Sequence, residues 1–304
     1  MILRPPRLSP RDVVRIVAPS GPVPRERFTA GAARLADRYR LRYDPAVLFE
    51  ADGFLAGSDE HRLAALGTAL ADPEAKAIVM ARGGYGLLRL LPFVDLAALR
   101  QHPKVLVGFS DGTPLLAAWA RAGVASIHGP VVTQLPNLPA GDLDALFGML
   151  EGPGPGIVLD GLLTITPGRV RGPLFGGNLE VLSRLLGTPY LPDLTGAVLV
   201  LEDVGERPYE IDRLITHLDL AGVFNAVSAV VVGQFTRCNE PPDSAVPSPT
   251  ADAVLEERLS RLPIPVVMGG AFGHGDRNLP LPYGTLVELD TRQGTLVALE
   301  GAVS

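Results

Sequence analysis

Gly108-Phe109-Ser110-Asp111-Gly112 sets a serine between two glycines at G-x-S-x-G spacing, with the apolar run Val105 to Gly108 before it and Thr113-Pro114 opening a helical pattern after it. Small residues on both sides allow a tight strand-to-helix turn, which projects the hydroxyl and aims the next amide, that of Asp111, into the space beside it. The dipole of the following helix adds to that field. Such a serine could be a nucleophile, and the Asp111 N–H an oxyanion donor. The same residues also suit an ordinary helix start, with Ser110 or Thr113 as cap and Pro114 in the first turn. The pattern alone leaves both readings standing.

A serine nucleophile needs a base and an acid to orient it. Five histidines are available. His61 sits in the polar start of a helix, His102 beside Pro103 and His217 in an amphipathic helix, and each reads as a solvated or packing residue. His128, in SIHGP, follows a short strand and could line a site. His274, in GGAFGHGDRN, lies between glycines after an apolar strand, on a loop able to approach a pocket closely. It is the preferred base. For the acid, the strand Ala197 to Leu201 delivers Glu202-Asp203 at its carboxyl end, with Glu206 one turn later. A second glycine-rich stretch, Arg82-Gly83-Gly84-Tyr85-Gly86, follows the strand Ala77 to Ala81. Its amides could supply the other oxyanion donor or cradle a phosphate, and Arg82 could clamp a carboxylate. A plain left-handed turn explains the same residues. The loop lacks the Lys-Ser/Thr ending of a P-loop.

These residues must be positioned by strands and helices, and the chain alternates between the two. Strands are expected at Val13 to Ala18, Ala77 to Ala81 and Val105 to Gly108, and helices at Arg25 to Tyr39, Ser58 to Ala71 and Pro114 to Ala122. The strands are continuously apolar, as in a parallel sheet covered on both faces. EGPGPGIVLDG, Glu151 to Gly161, is the densest Gly/Pro punctuation and reads as a boundary. Beyond it come a β segment at Thr164 to Arg171, a helix at Gly176 to Gly187, the strand Ala197 to Leu201, a helix at Pro208 to Ala221 and the strand Ala229 to Gly233. A surface loop at Asn239 to Thr250 follows, then a helix to about Arg261, a strand at Val266 to Met268 and two final strands at Leu286 to Leu289 and Leu296 to Leu299. The series predicts an α/β protein with a domain at 1–150, a linker at 151–168 and a second domain at 169–304.

Composition bounds the function. The chain has 304 residues, 47% hydrophobic and 20% charged, which suffices for two packed cores. A net charge of -6 with scattered arginines argues against nucleic acid and anionic membranes as partners. The single cysteine, Cys238, excludes an intramolecular disulfide and a cysteine metal cluster within one chain. No stretch approaches the roughly 18–20 apolar residues of a membrane span, and MILRPPRLSPRDVVRIVAP has no sustained apolar region, so cytoplasm is the expected location.

VRIVAPSGPV, ARGGYGLLRLLPFVD, VGFSDGT, IHGPVV, FGGNLEVLSRLLGTPY, LEDVGERPYEIDR and FGHGDRNLPLPYG occur in the order and spacing of the LD-carboxypeptidase family of serine peptidases. That family includes murein tetrapeptide carboxypeptidases and microcin C self-immunity peptidases. The resemblance runs from about Val13 to Leu289. It implies a flavodoxin-like parallel-sheet N-terminal domain that holds the nucleophile, Ser110, and a smaller swivelling β/α C-terminal domain that supplies Glu202 and His274. It implies an oxyanion hole from the Asp111 amide with that of Gly83 or Gly84, and substrate binding by Arg82 and Tyr85. Also implied are no metal or cofactor, a homodimer, and a peptide-like substrate, with terminal D-alanine released from murein tetrapeptide. LEDVGERPYEIDR followed by a short connection resembles the murein-recycling members more than the microcin branch. An amidase of aminoacyl-nucleotide conjugates and a non-catalytic protein binding an anion or small molecule are the rival expectations.

Overall fold

The computed structural model describes residues 2–152, 154–241 and 247–304. Five strands, β1 (Val13–Val17), β2 (Arg40–Arg42), β3 (Ala75–Met80), β4 (Val105–Gly108) and β5 (Ser126–His128), lie parallel in the order 2-1-3-4-5. This is the flavodoxin order, in which the chain reverses direction across the sheet between β1 and β3 and leaves a crevice at the strands' carboxyl ends. β4 and β5 are buried at every position and β3 at all but Lys76, as expected of a sheet covered on both faces. β2, which the sequence reading omitted, is a polar three-residue edge.

A second sheet follows. Its strands β6 (Gly156–Leu159), β7 (Leu163–Thr166), β8 (Arg169–Asn178), β9 (Val198–Val204), β10 (Ala229–Thr236) and β11 (Val266–Met268) have a parallel centre, β8-β9-β10-β11. β12 (Leu281–Tyr283) returns to the first sheet and pairs antiparallel with β5, and then β13 (Leu286–Asp290) and β14 (Thr295–Ala298) form an antiparallel hairpin against β8 in the second. The Gly/Pro-rich stretch after Glu151 contains β6, which pairs with β14, so its punctuation marks a turn into an edge strand. The β segment expected at Thr164 to Arg171 is two strands, β7 and the start of β8, separated by Pro167-Gly168. The loop expected at Asn239 to Thr250 lies in part, at 242–246, outside the described residues.

The helix expected at Gly176 to Gly187 is a correction. Gly176 and Gly177 are still in β8, and the helix spans only Leu179–Ser183, with Asn178 Oδ1 capping it by accepting from Val181 N–H at 3.0 Å. Two glycines mimic a helix-start signal, yet here they serve a close approach of backbones. Gly176 has φ +124°, and a Cβ there would stand 2.0 Å from the Val200 carbonyl oxygen of β9.

The two sheets share one apolar core. The helix Thr113–Arg121, which begins three residues after Ser110, buries Leu115, Leu116 and Trp119 in the same cluster as Leu174 and Phe175 of β8 and Leu199 and Leu201 of β9. Trp119 is fully buried, and its indole N–H donates to the Lys104 carbonyl at 2.9 Å. Polar ties add to this packing. Thr113 Oγ1 accepts from the Asn178 N–H of β8 at 3.1 Å while donating to the Ser110 carbonyl at 2.8 Å.

Gly176→Ala is expected to destabilise the protein by on the order of 3 kcal/mol, through a left-handed φ and a backbone collision that no rotamer can relieve. Urea unfolding checks this, and an unchanged midpoint would contradict the β8–β9 approach.

Candidate active site

The strand β4 ends at Gly108, and the chain turns sharply. Ser110 has φ +60°, one of three non-glycine residues among those described with a positive φ. An L-residue held there stores strain of about 1 kcal/mol or more, a cost met where a side chain must project from a turn. The flanking glycines have a packing cause, because a Cβ at Gly108 or Gly112 would lie 2.6 or 2.7 Å from the Met80 sulfur of β3. Ser110 does not cap the helix, since no side chain caps either the Ser110–Gly112 turn or the helix Thr113–Arg121. Its hydroxyl instead stands 3.0 Å from His274 Nε2.

His274 follows β11 on a loop held from both halves of the molecule. Gln134 Nε2 donates to the Gly273 carbonyl at 3.2 Å, and Gly273 N–H donates to Asn278 Oδ1 at 2.9 Å. Asn278 in turn donates from Nδ2 to Gln134 Oε1 and from its backbone N–H to Asp142 Oδ2. Arg277 pairs with the same buried Asp142 at 2.7 Å. Gly273, with φ +110°, has no room for a side chain, because a Cβ would come within 2.7 Å of Glu202 Oε2. That oxygen lies 2.6 Å from His274 Nδ1. Glu202 lies within β9, which runs on past the expected end at Leu201 to Val204; it is 0% exposed and its Oε2 faces His274, whereas Glu206 makes no hydrogen bond to His274. An ionised carboxylate can only accept, so Nδ1–H donates to Glu202 and Nε2 is left to accept from the Ser110 hydroxyl. The row can therefore take a proton from Ser110 while the carboxylate stabilises the imidazolium that forms.

Gly83 lies against the hydroxyl. A Cβ there would sit 2.9 Å from Ser110 Oγ and 3.6 Å from the Asp111 amide nitrogen. The Gly83 carbonyl accepts from Gly21 N–H at 3.1 Å, and Gly84 has φ +121° against the Gly21 backbone. Neither glycine's N–H donates a hydrogen bond within the described residues. The buried Asp111 side chain ties this loop to the serine turn, since Oδ2 accepts from Leu87 N–H at 3.0 Å. Burial pushes that carboxyl up to about 6. Arg62, also buried, donates to the carbonyls of Pro19 and Gly86 and holds the far side of the same loop.

Ser110 and His274 open on a crevice of about 600 Å³ that Arg82, Gly83, Gly84 and Phe109 also line. Arg82 is anchored by donating to the Pro22 carbonyl at 2.5 Å. Tyr85 is not among the lining residues. It is half exposed and stands edge-on to Phe54, ring centroids 5.4 Å apart. The structure thus brings Ser110, Glu202, His274, Asp111, Gly83, Gly84 and Arg82 together and leaves Tyr85 outside. Sequence reasoning missed the clamp on the His274 loop. Asn278 lies within the quoted GHGDRN block, but Gln134 and Asp142 sit in a helical turn and a helix with no motif of their own. It also missed Arg27 and Arg237, which line the crevice from a helix and a strand end.

His128 is behind the site. It is 0% exposed, with its ring near Phe109 (6.0 Å) and Phe272 (5.8 Å). Phe109 in turn lies 4.7 Å from the His274 ring. Burial is the main cause that lowers the His128 pKa to about 4. The other three histidines, read from the sequence as solvated or packing residues, do not line the crevice: His61 pairs with Glu50 at 2.7 Å in a helix's first turn, and His102 and His217 lie at or near helix ends.

Comparisons with known proteins point the same way. The profile of the LD-carboxypeptidase N-terminal domain matches residues 14–129, and that of the C-terminal domain residues 171–289. A Synechocystis sp. protein, named as a carboxypeptidase by inference and without a substrate, is 40% identical over 97% of this chain and 96% of its own length. The crystal structure of muramoyltetrapeptide carboxypeptidase from Oxalobacter formigenes is 30% identical and superposes with a TM-score of 0.81, covering 95% of this chain and 98% of that one. The structure of the microcin C7 self-immunity protein in complex with glutamyl sulfamoyl guanosine shares the fold, with a TM-score of 0.87, 23% identity and coverage of 99% and 100%. The Escherichia coli sequence of that protein is 27% identical over 90% of this chain and 88% of its own.

The buried His128 ring is expected to stay neutral in the folded protein down to about pH 4. The unfolded chain takes up this proton near 6.5, so the stability that the neutral ring contributes is complete above 6.5 and declines as pH falls from 6.5 towards 4. Histidine ring NMR resonances followed against pH test this, and a His128 midpoint near 6.5 would refute it.

Proposed function

The chain belongs to the LD-carboxypeptidase family of serine peptidases, and from that premise we propose that it releases the terminal D-alanine of murein tetrapeptide by hydrolysing the L,D-amide bond. The observation that carries this reading is the hydrogen-bonded row from Ser110 through His274 to Glu202, opening on a crevice whose lining includes Arg27, Arg82 and Arg237. No described helix is long and apolar enough to cross a membrane.

In the proposed reaction, His274 Nε2 takes the Ser110 proton as Oγ attacks the carbonyl of the penultimate residue. Negative charge that develops on the carbonyl oxygen is met by the Asp111 amide and by that of Gly83 or Gly84, in a niche kept open because Gly83 has no side chain. Glu202 holds the Nδ1–H tautomer and stabilises the imidazolium. His274 then gives its proton to the departing D-alanine nitrogen, the C–N bond breaks, and water hydrolyses the acyl-enzyme by the same steps in reverse order. Arg82, anchored at Pro22, takes the carboxylate of the leaving residue, and Tyr85, outside the crevice, contacts the far end of the peptide. We assign the enzyme to the cytoplasm as a homodimer that takes part in peptidoglycan recycling.

The competing amidase reading requires a flat aromatic surface for a nucleobase. Phe109 is the one aromatic residue among those lining the crevice, it is 4% exposed, and its ring packs against His274. The arginines in the lining suit carboxylate and phosphate alike, so the lack of an open aromatic face among the described lining residues is what favours the peptide over an aminoacyl nucleotide. A non-catalytic anion-binding role leaves the Ser110–His274 contact without a purpose.

Incubation with murein tetrapeptide should yield the tripeptide and free D-alanine by mass spectrometry, while aspartyl sulfamoyl adenosine should remain intact. The opposite selectivity would move the assignment to the amidase. Ser110→Ala should lower kcat about 10⁴-fold or more with folding intact, and Glu202→Gln about 10³–10⁴-fold. Glu206→Gln should change turnover less than about threefold, and near-normal turnover in the Glu202 variant would overturn the assigned acid.

A further inference from the structure

The chain carries a net charge of -6, yet the crevice around Ser110 reverses that sign. Arg27, Arg82 and Arg237 line it, and among the described lining residues Asp276 is the one exposed carboxylate. Elsewhere many arginines are bound in ion pairs, such as Arg15 and Arg42 on Asp72, Arg169 and Arg171 on Glu288, and Arg277 on Asp142. Arg27 and Arg237 make no ion pair and donate no side-chain hydrogen bond among the described residues, and both are exposed. Arg27 and Arg237 thus bring exposed guanidinium groups to a concavity that an anion can enter.

Their positions differ in a telling way. Arg27 is in the first turn of the helix Arg25–Ala36, on the first-sheet side, and Arg237 follows β10 on the second-sheet side. They therefore line the crevice from opposite halves, with Ser110 and His274 between the halves. Arg237 has φ +57°, so of the three described non-glycine residues in the left-handed region, two, Ser110 and Arg237, line this crevice. Glycine or asparagine would hold such a turn with less strain. The turn is pinned, because the preceding Thr236 carbonyl accepts from Gly205 N–H at 3.0 Å and from the Cys238 thiol at 3.5 Å.

Resting on the peptidase reading above, we propose that Arg27 and Arg237 are specificity-determining residues that bind the internal carboxylates of the substrate, those it carries besides its C-terminal one. The site is then built for a polyanionic peptide engaged on both walls, and a peptide with one carboxylate is a poor substrate even though its scissile bond is the same.

Binding to the Ser110→Ala protein, measured by calorimetry, separates recognition from turnover. The probes are murein tetrapeptide with diaminopimelate at its third position and the same peptide with both internal carboxylates amidated. We expect the amidated peptide to bind about 100-fold more weakly. Arg27→Ala and Arg237→Ala, each added to the Ser110→Ala protein, should each weaken binding of the free-acid peptide about tenfold, with lysine restoring part of the loss, and neither should alter binding of the amidated one. Melting temperatures equal to the parent's confirm folding. Equal losses on both peptides, no loss on either, or no binding of the free-acid peptide at all would overturn the proposal. Tight, carboxylate-dependent binding together with no D-alanine release by the unsubstituted protein would instead sink the proposed reaction and leave this inference standing.

Discussion

The hydrogen-bonded row from Ser110 through His274 to Glu202 takes its members from two different sheets, so its 3.0 and 2.6 Å contacts exist only while the sheets hold one relative position. Displacements of about 1 Å are enough to disable chemistry of this kind. Much of the surrounding structure acts against such displacement. The helix after Ser110 is packed into the core of the second sheet, and Thr113 is bonded both to Ser110 and to β8. The His274 loop is gripped by Gln134 and Asp142 from the first half, and β12 carries the chain back onto β5 just after that loop. The junction between the halves is thus a packed interior with directed polar ties, which is the form of contact that fixes angles as well as distances.

Space is the second constraint. Met80 fills the region beneath the serine turn and leaves no room for side chains at Gly108 and Gly112. Gly83 keeps clear the volume beside the Ser110 hydroxyl, and Gly273 leaves room for Glu202 Oε2 beside the imidazole. Each of these glycines is required by a neighbour that belongs to a different strand or loop. The motif is therefore the imprint of tertiary contacts on the local sequence.

Charge is arranged in depth. Glu202 is buried beneath the imidazole, and next to it burial, together with the Glu202 charge, raises the Asp203 carboxyl to about 7. Asp203 is satisfied by donors from Asn178, Glu180 and Val204, so it ties β9 to the start of the helix Leu179–Ser183 and does not compete for His274. His128, neutral and enclosed by aromatic rings, adds no positive charge behind the site. Arg27, Arg82 and Arg237 line the crevice itself, where an incoming anion can reach them, while the buried Arg62 is taken up by the carbonyls of Pro19 and Gly86.

The amino-acid sequence by itself determined the alternation of apolar strands and helices, the parallel character of the first sheet and the strand-turn-helix around Ser110, because those depend on local periodicity and on small residues at a turn. Its seven ordered blocks identified the family. Other features were decided only by the tertiary structure. Gly176 and Gly177 look like a helix start until β9 is seen to require their bare Cα atoms, and Leu281 to Tyr283 is too short and proline-broken to read as a strand until β5 offers it an edge. Ser110 as cap or as partner of a histidine 164 positions later cannot be separated by spacing, since the answer lies in a 3.0 Å contact between loops of different sheets. Periodicity and spacing do not separate Glu202 from Glu206; the family blocks point to Glu202, and the fold sets its carboxylate 2.6 Å from His274 Nδ1. The clamp by Gln134 and Asp142 and the facing arginines at 27 and 237 left no local signal. Each is an ordinary residue in an ordinary turn or helix until folding sets it opposite its partner.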